Sequence, residues 1–493
     1  MSVRCQFTQK VDDCKAFYRA IACNTSITHL FLDECYFGFG EMLTILMPFF
    51  DRNGSNLLSF ECHNFENRAG GYQRVDLLIQ ALSKCTCLQR FGIITDNFHD
   101  QSQYFDDESA LELLTELAKH PTLRKLAIAL NNRDIRVDLQ DVIPKITMLH
   151  DFSLYSGIDD EEAKRLSLAL ERSKGIKKLL LEGNRNITSV GWGAIGRYLG
   201  HSLLEELTLN TNCIDNESSI MLADGLATNA TMKNLSVCSI ESTTSVGWKA
   251  FFNRLCGSKL ALVDLDFSYI DSFDDDTMAS MLSWLSTMPS LKCLRMYEME
   301  TDDMSLITST GWLWISHLIQ NSSLTRLDLD NNYNIDDEVL ISYSNSLSLN
   351  NTLESLVVPN ITTEGLTALI NVLCDKSSFE SITASNHTLK KIDDGRRSRG
   401  RRPELDSLLQ MNQNDNKAEV IRQKIIQYHF CHGFSNMEKF VGMDWEVLPQ
   451  AISWIGRNET GLSLFFNLCQ SIPSLFDSDS KAKAATRAKR KRL

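Results

Sequence analysis

The chain has 493 residues, of which 43% are hydrophobic and 23% charged, with only 8 prolines and a formal net charge of −13. It contains no apolar run of about eighteen residues, and Met1 to Lys10 is polar where an export signal needs an apolar segment, which argues against a membrane span and against secretion. Its 14 cysteines are scattered, so the expectation is a cytosolic and/or nuclear protein with buried thiols rather than disulfides.

The charge is divided between two populations. Five arginines fall in 396–402 and seven Lys or Arg in 481–493, and removing those twelve positive charges takes the remainder to −25. An acidic body is followed by basic segments.

At the N-terminus, Cys14, Phe17, Tyr18 and Ile21 recur at helical spacing, so residues 1–26 are expected to form a helical cap. From Ile27 onward a frame of Leu-x-x-Leu-x-Leu, with other apolar residues allowed, sets the organisation. Clear copies are Leu123-x-x-Leu126-x-Ile128, Ile176-x-x-Leu179-x-Leu181, Leu204-x-x-Leu207-x-Leu209, Leu324-x-x-Leu327-x-Leu329 and Leu353-x-x-Leu356-x-Val358. Weaker copies start at Ile27, Leu57, Leu88, Leu149, Met232, Leu262, Leu291 and Phe379. The thirteen starts lie 26 to 35 residues apart, room for a short strand followed by a full helix. In 160–170, Ala163, Leu166 and Leu170 fall on one helix face.

Two further markers share that phase. Thr-Ser-x-Gly-Trp occurs at Thr188–Trp192, Thr244–Trp248 and Thr308–Trp312, with a relative at Thr362–Leu366. Its Ser or Thr is suited to cap a helix and its Trp to pack between helix and strand. Asn131, Asn184, Asn212 and Asn332, with Cys35 in the same phase, are expected to bond the buried turn of each repeat as a structural ladder.

With strand, asparagine and helix in this order, residues 14–393 resemble the ribonuclease-inhibitor-like leucine-rich-repeat family. The resemblance implies an α/β fold, a right-handed curved solenoid of about thirteen strand-helix repeats over 27–392, with a parallel sheet on the concave face. Members of that family include inhibitors, Ran GTPase-activating proteins and the sensor regions of NOD-like receptors, so fold alone does not choose a function.

The repeat frame stops after Ile392. Residues 393–403, with their arginine run, read as a basic linker, and 404–477 as a C-terminal α-helical module docked on the last repeat. Residues 478–493 lack the apolar mass to fold. Within them Lys489, Arg490, Lys491 and Arg492 form a run of the kind read by import receptors.

The sequence holds no phosphate loop, no Gly-x-Ser-x-Gly elbow and no His-Glu-x-x-His helix, and His429, Cys431 and His432 lack a second pair of ligands. No cofactor, metal or enzymatic activity is expected, and the reading is a non-catalytic scaffold or inhibitor-like binder of a protein partner. Its alternative, a Ran-type GTPase activator, shares the repeat, but that family's long acidic C-terminal tract is replaced here by a basic end. Nucleic acid is disfavoured because the acidic body repels phosphate.

Residues between and just after the frame leucines line the concave face: Glu61, His63, Tyr155, Glu182, Asn210, Asp266, Tyr269, Arg295, Tyr297, Asp328 and Asp330. Tyr and Arg there suit an interface. Segments 96–108, 271–276 and 298–303 are acid-rich, and Asp106, Asp107, Asp274 and Asp275 are expected to form a negative rim that meets a basic partner surface.

Overall fold

A computed structural model describes residues 2–6, 11–33, 39–63, 75–94, 107–129, 139–155, 157–299, 306–394 and 402–430. The chain divides into two compact units, Met1–Trp314 and Ile315–Leu493. In the first unit the strands are β1 (Ser2–Gln6), β2 (His29–Asp33), β3 (Ser59–His63), β4 (Arg90–Ile94), β5 (Lys125–Ala129), β6 (Asp151–Tyr155), β7 (Lys178–Glu182), β8 (Glu206–Asn210), β9 (Asn234–Cys238), β10 (Asp264–Asp266) and β11 (Cys293–Arg295). They run parallel and pair in chain order, as leucine-rich repeats require.

A helix follows each strand: α1 (Val11–Ala22), α2 (Phe39–Asn53), α3 (Val75–Leu82), α4 (Asp107–Leu117), α5 (Leu139–Val142), α6 (Asp160–Arg172), α7 (Ser189–His201), α8 (Asn216–Thr228), α9 (Ser245–Leu255), α10 (Asp275–Leu285) and α11 (Ser309–Leu313). The frame leucines point from each strand toward these helices. Leu126, Leu179, Leu207, Leu235, Leu265 and Leu294 are all buried. Burial of such side chains, worth roughly 1.5–3 kcal/mol each, is what holds strand and helix together.

The second unit repeats the plan with α12 (Ile315–Asn321), β12 (Arg326–Asp328), α13 (Asp337–Leu347), β13 (Ser355–Val357), α14 (Thr363–Leu373), α15 (Phe379–Ala384) and β14 (Lys391–Asp393). It ends in α16 (Pro403–Asn412), α17 (Lys417–Ile425) and a π-helical turn over Ile426–Phe430. β13 pairs in parallel with β12 and β14. Helix α16 packs on α14 and α17 on α15, so the described part of the C-terminal helical module lies against the last repeat.

Two expectations are corrected. The N-terminal segment is a strand as well as a helix: β1 pairs in register with β2 from Ser2–His29 to Gln6–Asp33. The last frame start is not Phe379, which opens α15 under a Ser378 cap. Phe379 and Ile382 are three apart on a helix turn, and β14 follows Leu389, with Ile392 as its middle apolar residue. Twelve starts, Ile27 to Leu353, do stand two residues before a strand.

The motifs take the roles expected of them. Trp192, Trp248 and Trp312 are buried, and Trp192 Nε1 donates to Cys213 O at 3.1 Å. Thr188 and Thr308 cap their helices through the side chain, whereas Thr244 stands at the cap position without a side-chain cap bond. Asn184, Asn212 and Asn332 are fully buried. Asn212 accepts from the Asn184 backbone N–H at 2.9 Å and donates to Leu181 O at 2.9 Å, bridging adjacent repeats. Asn131 and Cys35 lie outside the described residues. The cysteines follow expectation only in part: Cys62, Cys85 and Cys374 are buried and free, but Cys23, Cys87 and Cys256 are exposed.

Candidate protein-docking face

Along a strand, side chains alternate between the helix side and the open side of the sheet. Register therefore sorts the open side of the first unit into rows. One runs Glu61, Gly92, Ala127, Ser153, Leu180, Thr208, Ser236, Asp266 and Arg295. A second, nearer the strand ends, aligns Tyr155, Glu182, Asn210 and Cys238.

The expected face thus separates into parts. Tyr155, Glu182 and Asn210 are adjacent and half-buried. Glu61 and Asp266 share a row but stand seven strands apart, about 34 Å at ~4.8 Å per strand, so Glu61 and His63 belong to a different region. There, Glu61 Oε2 is 4.0 Å from Lys125 Nζ, two strands on, and its aliphatic stem lies over Gly92, where a Cβ would meet Glu61 Cγ at 3.3 Å.

At β10 and β11 the residues converge most closely. Arg295 donates from Nη2 to Asp264 Oδ1 at 2.7 Å and from Nε to Asp266 Oδ2 at 2.9 Å. Partial burial works against the guanidinium charge, but the hydrogen bond to Asp266 and the charges of both aspartates outweigh it and raise the Arg295 pKa. Ser268 Oγ donates to Asp266 Oδ1 at 2.5 Å. Just past the strands, Tyr269 and Tyr297 meet edge to face at 5.1 Å, and Tyr269 is 50% exposed. Tyr269 has φ 59°, a left-handed conformation that costs a bulky residue about 1–3 kcal/mol and directs this ring onto the rim. Thr211, Ser239 and Glu298 leave their strands in the same way.

The acids of the exit edge do different jobs. Asp274 caps α10, accepting from Thr277 N at 2.8 Å and Thr277 Oγ1 at 2.6 Å. Burial pulls its pKa upward, but these bonds, with Lys249, hold it below the ordinary carboxyl range. Asp275 accepts from Thr308 N and Thr308 Oγ1 of the next repeat at 2.8 and 2.6 Å. Asp271 and Asp276 are exposed, and Asp276 also accepts from Lys249 Nζ at 3.0 Å. Asp107 opens α4, while Asp106 and most of 96–108 lie outside the described residues, as do 300–303 and Lys489 to Arg492.

In the second unit, Asp328 and Asp330 are turned to their own strand and turn. Asp328 lies 3.3 Å from Arg326, and Asp330 Oδ1 accepts from Asn331 N at 2.8 Å.

The sequence reading missed one row of the open face. The residue before the middle leucine of each frame copy also points there, and register aligns Arg90, Lys125, Asp151, Lys178, Glu206, Asn234 and Asp264. Two-residue alternation, carried one step further toward the strand start, was the signal that could have found them. Burial raises the Asp151 pKa against the pull of Lys125 and Lys178, and Lys178 bonds Glu206 at 2.5 Å.

Among the described residues no group of three or more His, Cys, Asp or Glu is placed to hold a metal ion, and no helix is long and apolar enough to cross a membrane. No family model and no curated protein matches the chain. Among solved structures it is similar to an internalin, InlF, from Listeria monocytogenes at 15% identity and TM-score 0.33, over 66% of this chain and 80% of that one. It is similar also to the Rad7 and Elc1 complex of yeast, at 16% identity and TM-score 0.34, over 61% of this chain and 83% of that one.

Proposed function

We propose that the chain is a non-catalytic protein-binding scaffold whose first unit receives its partner on the open sheet face. The observation that carries this is the β10–β11 corner. A guanidinium fixed by two carboxylates lies beside an edge-to-face pair of exposed Tyr269 and half-buried Tyr297, which supplies rigid aromatic area with little side-chain entropy to lose. Exposed Asp271 and Asp276 beside it favour a partner with a basic surface.

Affinity capture of the full chain, compared with a Tyr269→Ala/Tyr297→Ala variant and with an Asp271→Lys/Asp276→Lys variant, tests the reading. Neither variant replaces the capping residues Asp274 and Asp275 themselves. The set of captured proteins should shrink with the first and bind less, and with less salt sensitivity, with the second. An unchanged set in both variants overturns the face as the docking site.

Nuclear entry through Lys489, Arg490, Lys491 and Arg492, read by an import receptor, is part of the same proposal. A fluorescent fusion should lose nuclear signal when these four are changed to Ala.

A further inference from the structure

The strand-start edge of the first unit differs in charge from the exit edge. Backbone hydrogen bonds from strand to strand place Gln89, Arg124, His150, Lys177, Glu205, Lys233, Val263 and Lys292 side by side just before β4 to β11. The open-face row of Arg90, Lys125, Asp151, Lys178, Glu206 and Asp264 adjoins them. Together these rows hold seven Lys or Arg against four carboxylates, so this edge is net positive on an otherwise acidic chain.

Some of that charge is satisfied internally. Glu205 lies 2.6 Å from Lys233 and 3.6 Å from Lys177. Arg90 and Arg124 are exposed and form no ion pair among the described residues. Aliphatic side chains stand exposed on the same edge: Met148 at 39%, Leu203 at 49% and Val263 at 39%. Leu203 adjoins the charged row directly, its carbonyl accepting from Lys177 Nζ at 3.3 Å.

We infer that this edge is a second docking strip, and that its occupant is a net-acidic polypeptide segment carrying aliphatic side chains, contributed by the partner held on the sheet face. Charge complementarity sets the sign. The interleaved acids Asp151, Glu205, Glu206 and Asp264 choose polypeptide over nucleic acid, because a phosphate backbone presents an unbroken negative row that would meet them every few strands. A peptide sets its own Lys or polar residues opposite those acids, and it offers apolar side chains to Leu203 and Val263, which a phosphate chain does not. From Arg124 to Val263 the strip crosses five strand spacings, about 24 Å, or roughly seven extended residues at ~3.3 Å each.

The inference rests on the sheet-face reading, and separate probes tell the two apart. Fluorescence anisotropy with the full chain would use a Glu- and Leu-containing peptide with interspersed Lys, a Lys-rich peptide, and an oligothymidylate of equal length. The acidic peptide should bind, and its dissociation constant should rise about tenfold in Arg90→Gln/Arg124→Gln and again in Leu203→Ser/Val263→Ser. It should not change in Asp271→Lys/Asp276→Lys. These positions are exposed, and unchanged circular dichroism would confirm that each variant folds.

No binding of the acidic peptide overturns the inference. So does tighter binding of oligothymidylate, or indifference of the acidic peptide to the Leu203/Val263 change, since either makes the strip a general polyanion surface. Loss of the Lys-rich peptide's binding in the Asp271/Asp276 variant, or its absence, bears on the exit-edge reading alone.

Discussion

Gly247 stands in the first turn of α9 because the preceding repeat reaches into that space. Asn216 Oδ1 accepts from Thr244 N at 2.9 Å, and a Cβ on Gly247 would come within 2.3 Å of that oxygen. Asp160 does the same for Thr188 and Gly191, and Asp275 for Thr308 and Gly311. Thr-Ser-x-Gly-Trp is therefore a complete joint: a threonine cap tied to the previous helix, a glycine that admits the tying side chain, and a tryptophan that fills the core. Gly247→Ala should lower stability by about 1–3 kcal/mol, read as a drop in Tm by calorimetry. Gly257→Ala makes the comparison, since nothing lies within 4 Å of its added Cβ and only its φ of 77° opposes the change. A Tm for Gly247→Ala no lower than that for Gly257→Ala would mean the joint contributes nothing. Three Asn-x-Thr triplets form a second set of joints. Asn229 donates to Leu199 O at 2.8 Å and accepts from Thr231 N and Met232 N at 2.9 and 2.8 Å. Asn350 and Asn386 repeat the pattern. Asn229→Ala leaves these buried groups unpaired and should cost about 2–3 kcal/mol, measured by urea unfolding.

Elements were legible where a pattern repeats and obscure where it ends. Twelve strands announce themselves because leucines at a fixed spacing must face a helix in every copy, whereas β1 precedes the first copy and has no leucine frame: Ser2 to Gln6 reads as polar. Ile240, Ile270 and Met299 are buried one residue after the left-handed Ser239, Tyr269 and Glu298, the place that Asn212 takes after Thr211. An apolar residue thus fills that turn in these repeats, whereas Asn212 fills it with a side chain that bonds the repeat before it. Asp274 and Asp275 show the limit for the candidate site, since cap and rim acids have the same letters and only the Thr277 and Thr308 partners separate them. The ends of α14 and α15 hold chemistry no motif signalled. Lys424, fully buried on α17, donates to Leu373 O at 2.6 Å and Asn386 O at 3.2 Å and lies 3.0 Å from His387 Nδ1. Burial, then the charge of Lys424, lowers the His387 pKa to about 4, and burial lowers that of Lys424 to about 7. Between pH 6.5 and 4 the unfolded chain takes up the histidine proton first, so stability is whole above that window and is lost as pH falls through it, by up to about 3 kcal/mol. For Lys424 the corresponding window is 7 to 10.5, again with stability rising toward high pH. Hydrogen exchange of the α17 amides should accelerate between pH 6.5 and 4 beyond its intrinsic pH dependence, and His387→Leu should abolish the excess. An excess that persists in the variant would place the titrating group elsewhere.

At the scale of the whole molecule, a stack of repeats is stabilised by intrinsic repeat energies and nearest-neighbour contacts, so its open ends are its weak points. In the second unit the end beyond β14 is covered by α16 and α17. Leu405, Leu408, Val420 and Ile425 are buried there, as are Leu373, Ile382 and Leu389 of the repeat below, and Asn412 ties the two together by donating to Leu389 O at 2.7 Å. A chain ending after Asp394 would bare those aliphatic side chains, and size-exclusion chromatography with light scattering should show self-association or aggregation at concentrations where the full chain is monodisperse. A chain ending after Phe430 retains α16 and α17 and should behave as the full chain does. Were these helices instead a separate binding module, both truncations would stay monodisperse with equal Tm. Lys424→Met in the full chain sharpens the comparison. It removes the buried amine while keeping apolar volume, so monodispersity should survive even as the amides of α17 exchange at a different rate, because solubility depends on the area covered and not on how the cover is pinned.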